Sequence, residues 1–244
     1  MNKKRVYAII LAGGRGTRMG ADIPKQYLKL GSKPVLAYSL ETFEKSVADK
    51  IFIVCAPAFE DQIRSEILKP CGITKFAGFA ESGDERVRSV KNGIGKALEG
   101  IPAGEYDNIC LMIHDGARPL VSSDLIERCI TAADTSQAVI PGIPLKDTIK
   151  ELSGTNVTAT PDRNSFCAVQ TPQCFAADVI LRAYEGFETA AEGFIPTDDA
   201  SLVERFTDVN VSVIPGEEDN IKITTPLDMK IAGMILQGQM KMCQ

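Results

Sequence analysis

The chain carries one histidine, His114, and seven cysteines without a single C-x-x-C pair. An odd cysteine count, with most members inside apolar runs, reads as reduced, buried thiols of a cytoplasmic protein. No run approaches the ~18 apolar residues that a membrane span needs. A basic excess is also missing: 27 Lys and Arg stand against 32 Asp and Glu, a net charge of −5. That balance argues against nucleic-acid or membrane partners reached through a broad basic surface, so any cation cluster must be local. Lys3-Lys4-Arg5 followed by Val6 to Ala12 imitates a signal peptide. The small-residue cleavage site is absent, however, and Gly13-Gly14-Arg15 follows instead. Repeats, linkers and low-complexity tracts are missing too, so the expectation is one domain over residues 1–244.

Short apolar runs alternate with helical patterns along that length. Val6 to Leu11, Ile51 to Cys55, Ile73 to Phe79, Ile109 to Ile113 and Ala138 to Leu145 read as buried strands. Between them, Pro34 to Phe43, Phe59 to Leu68, a stretch capped by Ser82 and Glu85, and Ser122 to Ala133 read as helices. Such alternation implies an α/β fold of parallel βαβ units, with ligands outside the carboxyl ends of the strands. The rhythm changes at 146–170, where Ser153-Gly154-Thr155-Asn156 predicts the turn of a β-hairpin arm outside the main sheet. Helices are expected again at Ala176 to Phe187 and Thr197 to Phe206, and strands at Val209 to Ile214 and Ile221 to Thr224. A last helix is capped at Thr225, with Met229, Ile231, Met234 and Ile235 read as core.

The loop after the first strand runs from Ala12-Gly13-Gly14-Arg15-Gly16-Thr17-Arg18 to Pro24-Lys25-Gln26. It lacks the third glycine of a dinucleotide fingerprint, and it lacks a Walker A lysine. What remains is a glycine turn whose backbone N–H groups can approach an anion, flanked by Arg15, Arg18 and Lys25. Three cations there suit a triphosphate. A second constellation, His114-Asp115-Gly116-Ala117-Arg118, follows another buried strand. Asp115 is a candidate for hydroxyl groups or a hydrated Mg²⁺, with Arg118 orienting it; His114 is either structural or functional. Arg163 and Lys222 are candidates for clamping a substrate phosphate or for a solvated face. Gly83, Asp84 and Ser89 are candidates for a base pocket.

These segments, in this order, resemble the 2-C-methyl-D-erythritol 4-phosphate cytidylyltransferase family of non-mevalonate isoprenoid synthesis. To the motifs above the resemblance adds Gly83-Asp84-Glu85-Arg86, Lys146-Asp147-Thr148-Ile149-Lys150, Asp162-Arg163, Gln170-Thr171-Pro172-Gln173, Thr197-Asp198-Asp199-Ala200-Ser201 and Asn220-Ile221-Lys222-Ile223-Thr224. It implies a three-layer, glycosyltransferase-A-like nucleotide-binding sheet, mostly parallel, that consumes CTP with Mg²⁺. It also implies a homodimer whose hairpin arm enters the partner's site. By motif position, Arg18 and Lys25 stabilise the transition state, and Arg163 and Lys222 hold the substrate phosphate beside Thr148 and Thr171. Ala12, Gly13, Gly14 and Gly16 with Gly83, Asp84 and Ser89 surround the nucleotide, while Asp115 and Ala117 meet ribose and acceptor. Protein ligands for the metal are not assigned. Two departures stand out: Gly13 where the family commonly has alanine, and Gly116 in place of another alanine. Related ribitol 5-phosphate cytidylyltransferases share the first, so ribitol 5-phosphate is the alternative acceptor. A non-catalytic nucleotide-binding protein is the alternative of another class.

Overall fold

The computed structural model describes residues 4–14, 23–190 and 193–242. In chain order the elements are β1 (Arg5–Leu11), β2 (Lys29–Leu30), β3 (Lys33–Pro34), α1 (Val35–Lys45), β4 (Lys50–Cys55), α2 (Glu60–Ile63), β5 (Phe76–Glu81), α3 (Arg86–Leu98), β6 (Ile109–Asp115), α4 (Ser123–Ala133) and β7 (Ala138–Pro144). There follow β8 (Glu151–Ser153), β9 (Asn156–Ala159), β10 (Cys167–Val169), β11 (Gln173–Ala176), α5 (Ala177–Thr189), α6 (Asp199–Phe206), β12 (Ser212–Pro215) and α7 (Pro226–Met242).

The main sheet has the order β10-β7-β11-β6-β1-β4-β5, with β12 on β7. Strands β6, β1, β4 and β5 are mutually parallel, whereas β11 runs antiparallel to β6 and β7. This is the expected mostly parallel α/β sheet, made mixed by the antiparallel β10 and β11. Side-chain alternation along β1 sends Val6, Ala8 and Ile10 to one face and Tyr7 and Ile9 to the other. Helices α1 and α4 cover the first face; α3, α5 and α6 cover the second. Each fully buried Val, Leu, Ile or Phe in these layers contributes roughly 1.5–3 kcal/mol relative to exposure.

Strand registers bring the loops to one rim. Leu11 lies opposite both Asp115 and Val54. Beyond the strands, the Ala12 N–H donates to the Val54 carbonyl (2.7 Å), Gly116 to Leu11 (2.9 Å) and Ser82 to Cys55 (2.9 Å). The ends of β1, β4, β5 and β6 are thereby locked side by side, and their loops face one opening.

Several local expectations are corrected. The 59–68 helix is short α2 followed by a π-helical turn over Arg64–Leu68. The capping box at Ser82 and Glu85 does not form: Ser82 still extends β5, and α3 opens after an extended Glu85 without a side-chain cap. Residues 221–224 are not a strand. Ile223 donates once to the Ala117 carbonyl (2.8 Å), and the Asp228 carboxylate then captures the Thr224 and Thr225 N–H groups (2.8 and 2.7 Å). On α7, Met229 and Ile235 pack against the Leu30–Val35 cluster, but Ile231 and Met234 face outward, Met234 with 72% of its surface exposed. The arm carries the expected antiparallel hairpin, turning at Gly154 with φ +60°.

Candidate active site

The rim loops enclose a cavity of about 680 Å³. Its walls combine Gly13 and Gly14 after β1, Lys25 and Gln26, Phe59 after β4, Gly83 to Arg86 after β5, Ser89 on α3, Asp115 and Ala117 at the end of β6, and Lys222.

The first-loop side is pinned from beneath. The buried Gln26 donates through Nε2 to the carbonyls of Ala12 (2.5 Å) and Gly14 (3.0 Å), and the Tyr27 hydroxyl also donates to Ala12 (3.0 Å). The Tyr27 ring stacks on Phe59 with centroids 4.5 Å apart. Lys25, on the same single 3₁₀ turn (Lys25–Tyr27), is therefore fixed relative to the glycine loop. Beside that loop, in the turn after β5, the Gly83 N–H donates to Ser89 Oγ (3.0 Å), whose hydroxyl donates to the Glu85 carbonyl (3.0 Å). Ser89 thus holds the Gly83–Glu85 turn in shape. Asp84 pairs with Arg88 at the exposed mouth.

At the floor an ionic group surrounds the buried Asp115. Asp115 Oδ2 is 2.7 Å from Lys222 Nζ and 4.0 Å from Arg118 Nε, while Oδ1 is 3.7 Å from Arg86 Nε. Burial alone would raise the Asp115 pKa; the cations Arg86, Lys222 and Arg118 overcome it and hold the carboxyl well below its ordinary range. Burial likewise disfavours the Arg86 charge, and Asp199 with Asp115 overrides it, so the guanidinium stays charged. Behind Asp115 runs a chain of hydrogen bonds. The Asp115 N–H donates to Thr171 Oγ1 (3.1 Å), Thr171 Oγ1 lies 3.0 Å from His114 Nδ1, and His114 Nε2 lies 3.3 Å from the Arg118 carbonyl. A neutral imidazole protonated at Nε2 satisfies every bond in it. Burial pushes His114 down to about 4, against the attraction of Asp115 and with the repulsion of Arg118.

The fold therefore gathers Gly13, Gly14, Lys25, Gly83, Asp84, Ser89, Asp115, Ala117 and Lys222 at one cavity. Ala12, Arg118 and Thr171 lie just behind the wall. Arg118 spends Nη1 on the Asn220 carbonyl (2.6 Å), tying the Lys222 segment to β6 rather than facing the cavity. Thr148 and Arg163 sit exposed on the arm, away from the lining, with Arg163 Nη1 donating to the Lys146 carbonyl (2.5 Å). Arg18 and Gly16 lie outside the described residues. Sequence reasoning passed over Gln26 as an anchor, and over Arg86 and Asp199 as the partners of the floor. All three lie inside the family motifs, yet a buried amide and a buried acid carry no sequence signal that separates them from solvated polar residues.

The two glycine departures have packing causes. A Cβ at Gly13 would stand 2.2 Å from Ser82 Cβ, and one at Gly116 would stand 2.8 Å from the Leu11 carbonyl oxygen and 2.9 Å from Leu36 Cδ1. Neither position has room for a side chain unless its neighbours shift.

A parallel sheet with a glycine loop after its first strand, an adjacent lysine and a cation-ringed carboxylate defines a nucleotidyltransferase of the α/β class. The chain belongs to the 2-C-methyl-D-erythritol 4-phosphate cytidylyltransferase family, whose model matches residues 6–238. It is similar to the enzyme of that name from Geotalea uraniireducens, at 42% identity over 96% of this chain and 97% of the relative. The Geobacter metallireducens enzyme of the same name is 43% identical over 96% and 99%. Among solved structures, the 4-diphosphocytidyl-2C-methyl-D-erythritol synthase of Anaerococcus prevotii superposes with a TM-score of 0.81 at 31% identity, covering 97% of both chains.

Proposed function

We propose that this chain transfers CMP from CTP to 2-C-methyl-D-erythritol 4-phosphate and releases pyrophosphate. The observation that carries the reading is the buried Asp115 among Arg86, Arg118 and Lys222, across one cavity from the Gly13-Gly14 loop and Lys25. Such a surplus of fixed positive charge suits phosphate groups, and an ionised carboxylate suits hydroxyls. The acceptor's phosphate has a second pKa near ~6, so its oxygen is already ionised at neutral pH and needs no strong base. It attacks the α-phosphorus of CTP, and pyrophosphate leaves. Lys25, with Arg18 from the segment outside the described residues, stabilises charge on the α-phosphate and the leaving group. Gly83, Asp84 and Ser89 frame the cytosine, Asp115 and Ala117 meet the ribose and acceptor, and Lys222 holds the acceptor phosphate.

No cluster of three or more His, Cys, Asp or Glu side chains stands ready for a metal among the described residues. Magnesium needs no such cage, since it takes most of its ligands from phosphate and water. When bound it neutralises phosphate charge; Asp115, already paired with Lys222, is not assigned to it.

We further assign the 146–170 arm to a homodimer, in which Arg163 and Thr148 serve the acceptor site from the neighbouring copy, while Thr171 supports Asp115 from behind the wall. The exposed Leu152, Val157 and Phe166 support this assignment. Residues 1–244 act as one domain. A cytoplasmic setting is supported by the six unpaired thiols among the described residues, and no described helix is long and apolar enough to cross a membrane.

The test is pyrophosphate release from CTP with each acceptor in turn. Fastest release is expected with 2-C-methyl-D-erythritol 4-phosphate. Faster release with ribitol 5-phosphate overturns the acceptor, and equal turnover of UTP or ATP overturns the base pocket.

A further inference from the structure

Asp199 has no part in the mechanism above, yet it is fully buried at the start of α6, next to the cavity floor. Both of its oxygens are engaged. Oδ2 accepts from Arg86 Nη2 at 2.8 Å, and Oδ1 accepts from the Tyr184 hydroxyl at 2.8 Å. Arg86 opens α3, lines the cavity and reaches toward two acids. It closes on only one of them. Its Nε stands 3.7 Å from Asp115 Oδ1, beyond hydrogen-bond reach, while Lys222 occupies Oδ2 at 2.7 Å. An arginine beside a carboxylate ordinarily closes into two parallel bonds. Asp199 instead takes Nη2, the nitrogen that shares the side-on fork with Nε.

We propose that Asp199, steadied by Tyr184, is a positioning residue that holds Arg86 off Asp115, so that Asp115 Oδ1 remains available to accept a hydroxyl from bound substrate. The inference rests on the transferase reading, because a hydroxyl-bearing substrate is what Oδ1 would meet. Arg86 in this arrangement lends its charge to the floor without consuming the acceptor.

Asp199→Asn keeps the side chain's volume and its capacity to accept from Tyr184, but removes the charge that draws Arg86 away. In a crystal structure of that variant Arg86 is expected within about 3.2 Å of Asp115 Oδ1. kcat/KM should fall about tenfold or more, mainly through KM, as one charge-assisted hydrogen bond to substrate is lost. In an Asp115→Asn background the same change should cost nothing further, since its route runs through Asp115. Asp199→Glu, which restores the carboxylate, should recover part of the loss. Multiplying effects of Asp199→Asn and Asp115→Asn, or an unmoved Arg86, overturn the inference. So does a fall in melting temperature with KM intact, which is what a merely structural acid would give. If Asp199→Asn fails to fold, Tyr184→Phe loosens Asp199 while leaving its charge. A smaller rise in KM is then expected, and unchanged kinetics overturn the proposal. A wild-type chain inactive toward CTP would sink the transferase reading, whereas the displacement of Arg86 is read without turnover and judges this inference alone.

Discussion

Gly13 and Ser82 show how a single position in this site is decided by its neighbour. An alanine at 13 would place its Cβ 2.2 Å from Ser82 Cβ, a separation that real contacts do not show. Gly13→Ala should therefore push the loop after β1 away from the β5 turn, costing about 1–3 kcal/mol of stability, the usual size for overpacking. It should depress kcat/KM as well, because the displaced loop lines the cavity. Adding Ser82→Gly should restore both, with acceptor preference unchanged. A double variant no better than the single one would show that the glycine answers to something other than Ser82. Lys25 gives a contrasting case. It lies on the cavity wall, and its turn is anchored by Gln26 and Tyr27. Lys25→Ala should lower kcat by on the order of 10²–10³, the scale of losing one preorganised charge-stabilising group, with little change in melting temperature. A large fall in melting temperature with kcat retained would make the residue structural.

Between elements, His114 joins the end of β6 to the segment entering β11 through Thr171, and the Arg118 carbonyl completes the link. The imidazole is wholly buried and its pKa falls from 6.5 to about 4, burial being the main cause. The unfolded chain thus binds this proton over a range where the native chain does not. His114 contributes its full stabilisation above pH 6.5 and loses it as the pH falls toward 4, in all about 3 kcal/mol at roughly 1.4 kcal/mol per unit. Asp115, whose pKa is depressed, contributes above its ordinary 3.8 and loses that contribution only below it, so the two windows are separable. Melting temperature should fall between pH 6.5 and 4.5, and His114→Gln should flatten that slope by about one proton. Equal slopes in both proteins would remove His114 as the cause. The same scale shows what the sequence made legible. Buried parallel strands were readable because both faces of β1, β4 and β6 are apolar, and Gly154 marked the arm's turn. Lys222 was readable as a site residue but its segment was not, because 221–224 looks like a strand and is ordered by capture at Asp228 and Ala117. Ser82 looked like a cap because a capping box is a local pattern, whereas its hydrogen bond to Cys55 comes from a strand far away in sequence. Asp199 was hidden for the same reason: its partner Arg86 is 113 residues away.

At the scale of the whole molecule, the residues assigned to one acceptor site lie in two places. Lys25, Asp115 and Lys222 line the cavity, whereas Arg163 stands exposed on the arm. A lone two-stranded hairpin is marginal in water, and β8 and β9 expose Leu152 and Val157 rather than covering them. A second copy related by a two-fold axis would cover that surface and bring each arm to the other's cavity. The arrangement can be tested by mixing defects. Arg163→Ala and Lys25→Ala proteins should each be nearly inactive. After subunit exchange, a hybrid dimer has one site lacking both residues and one site with both intact. Random pairing puts half of the chains in hybrids, so about a quarter of wild-type activity should return. If Arg163 served its own chain's cavity, every site in the mixture would carry one defect and nothing would return. Sedimentation of the wild-type protein completes the test, since a fully active monomer would leave the arm no neighbouring site to enter.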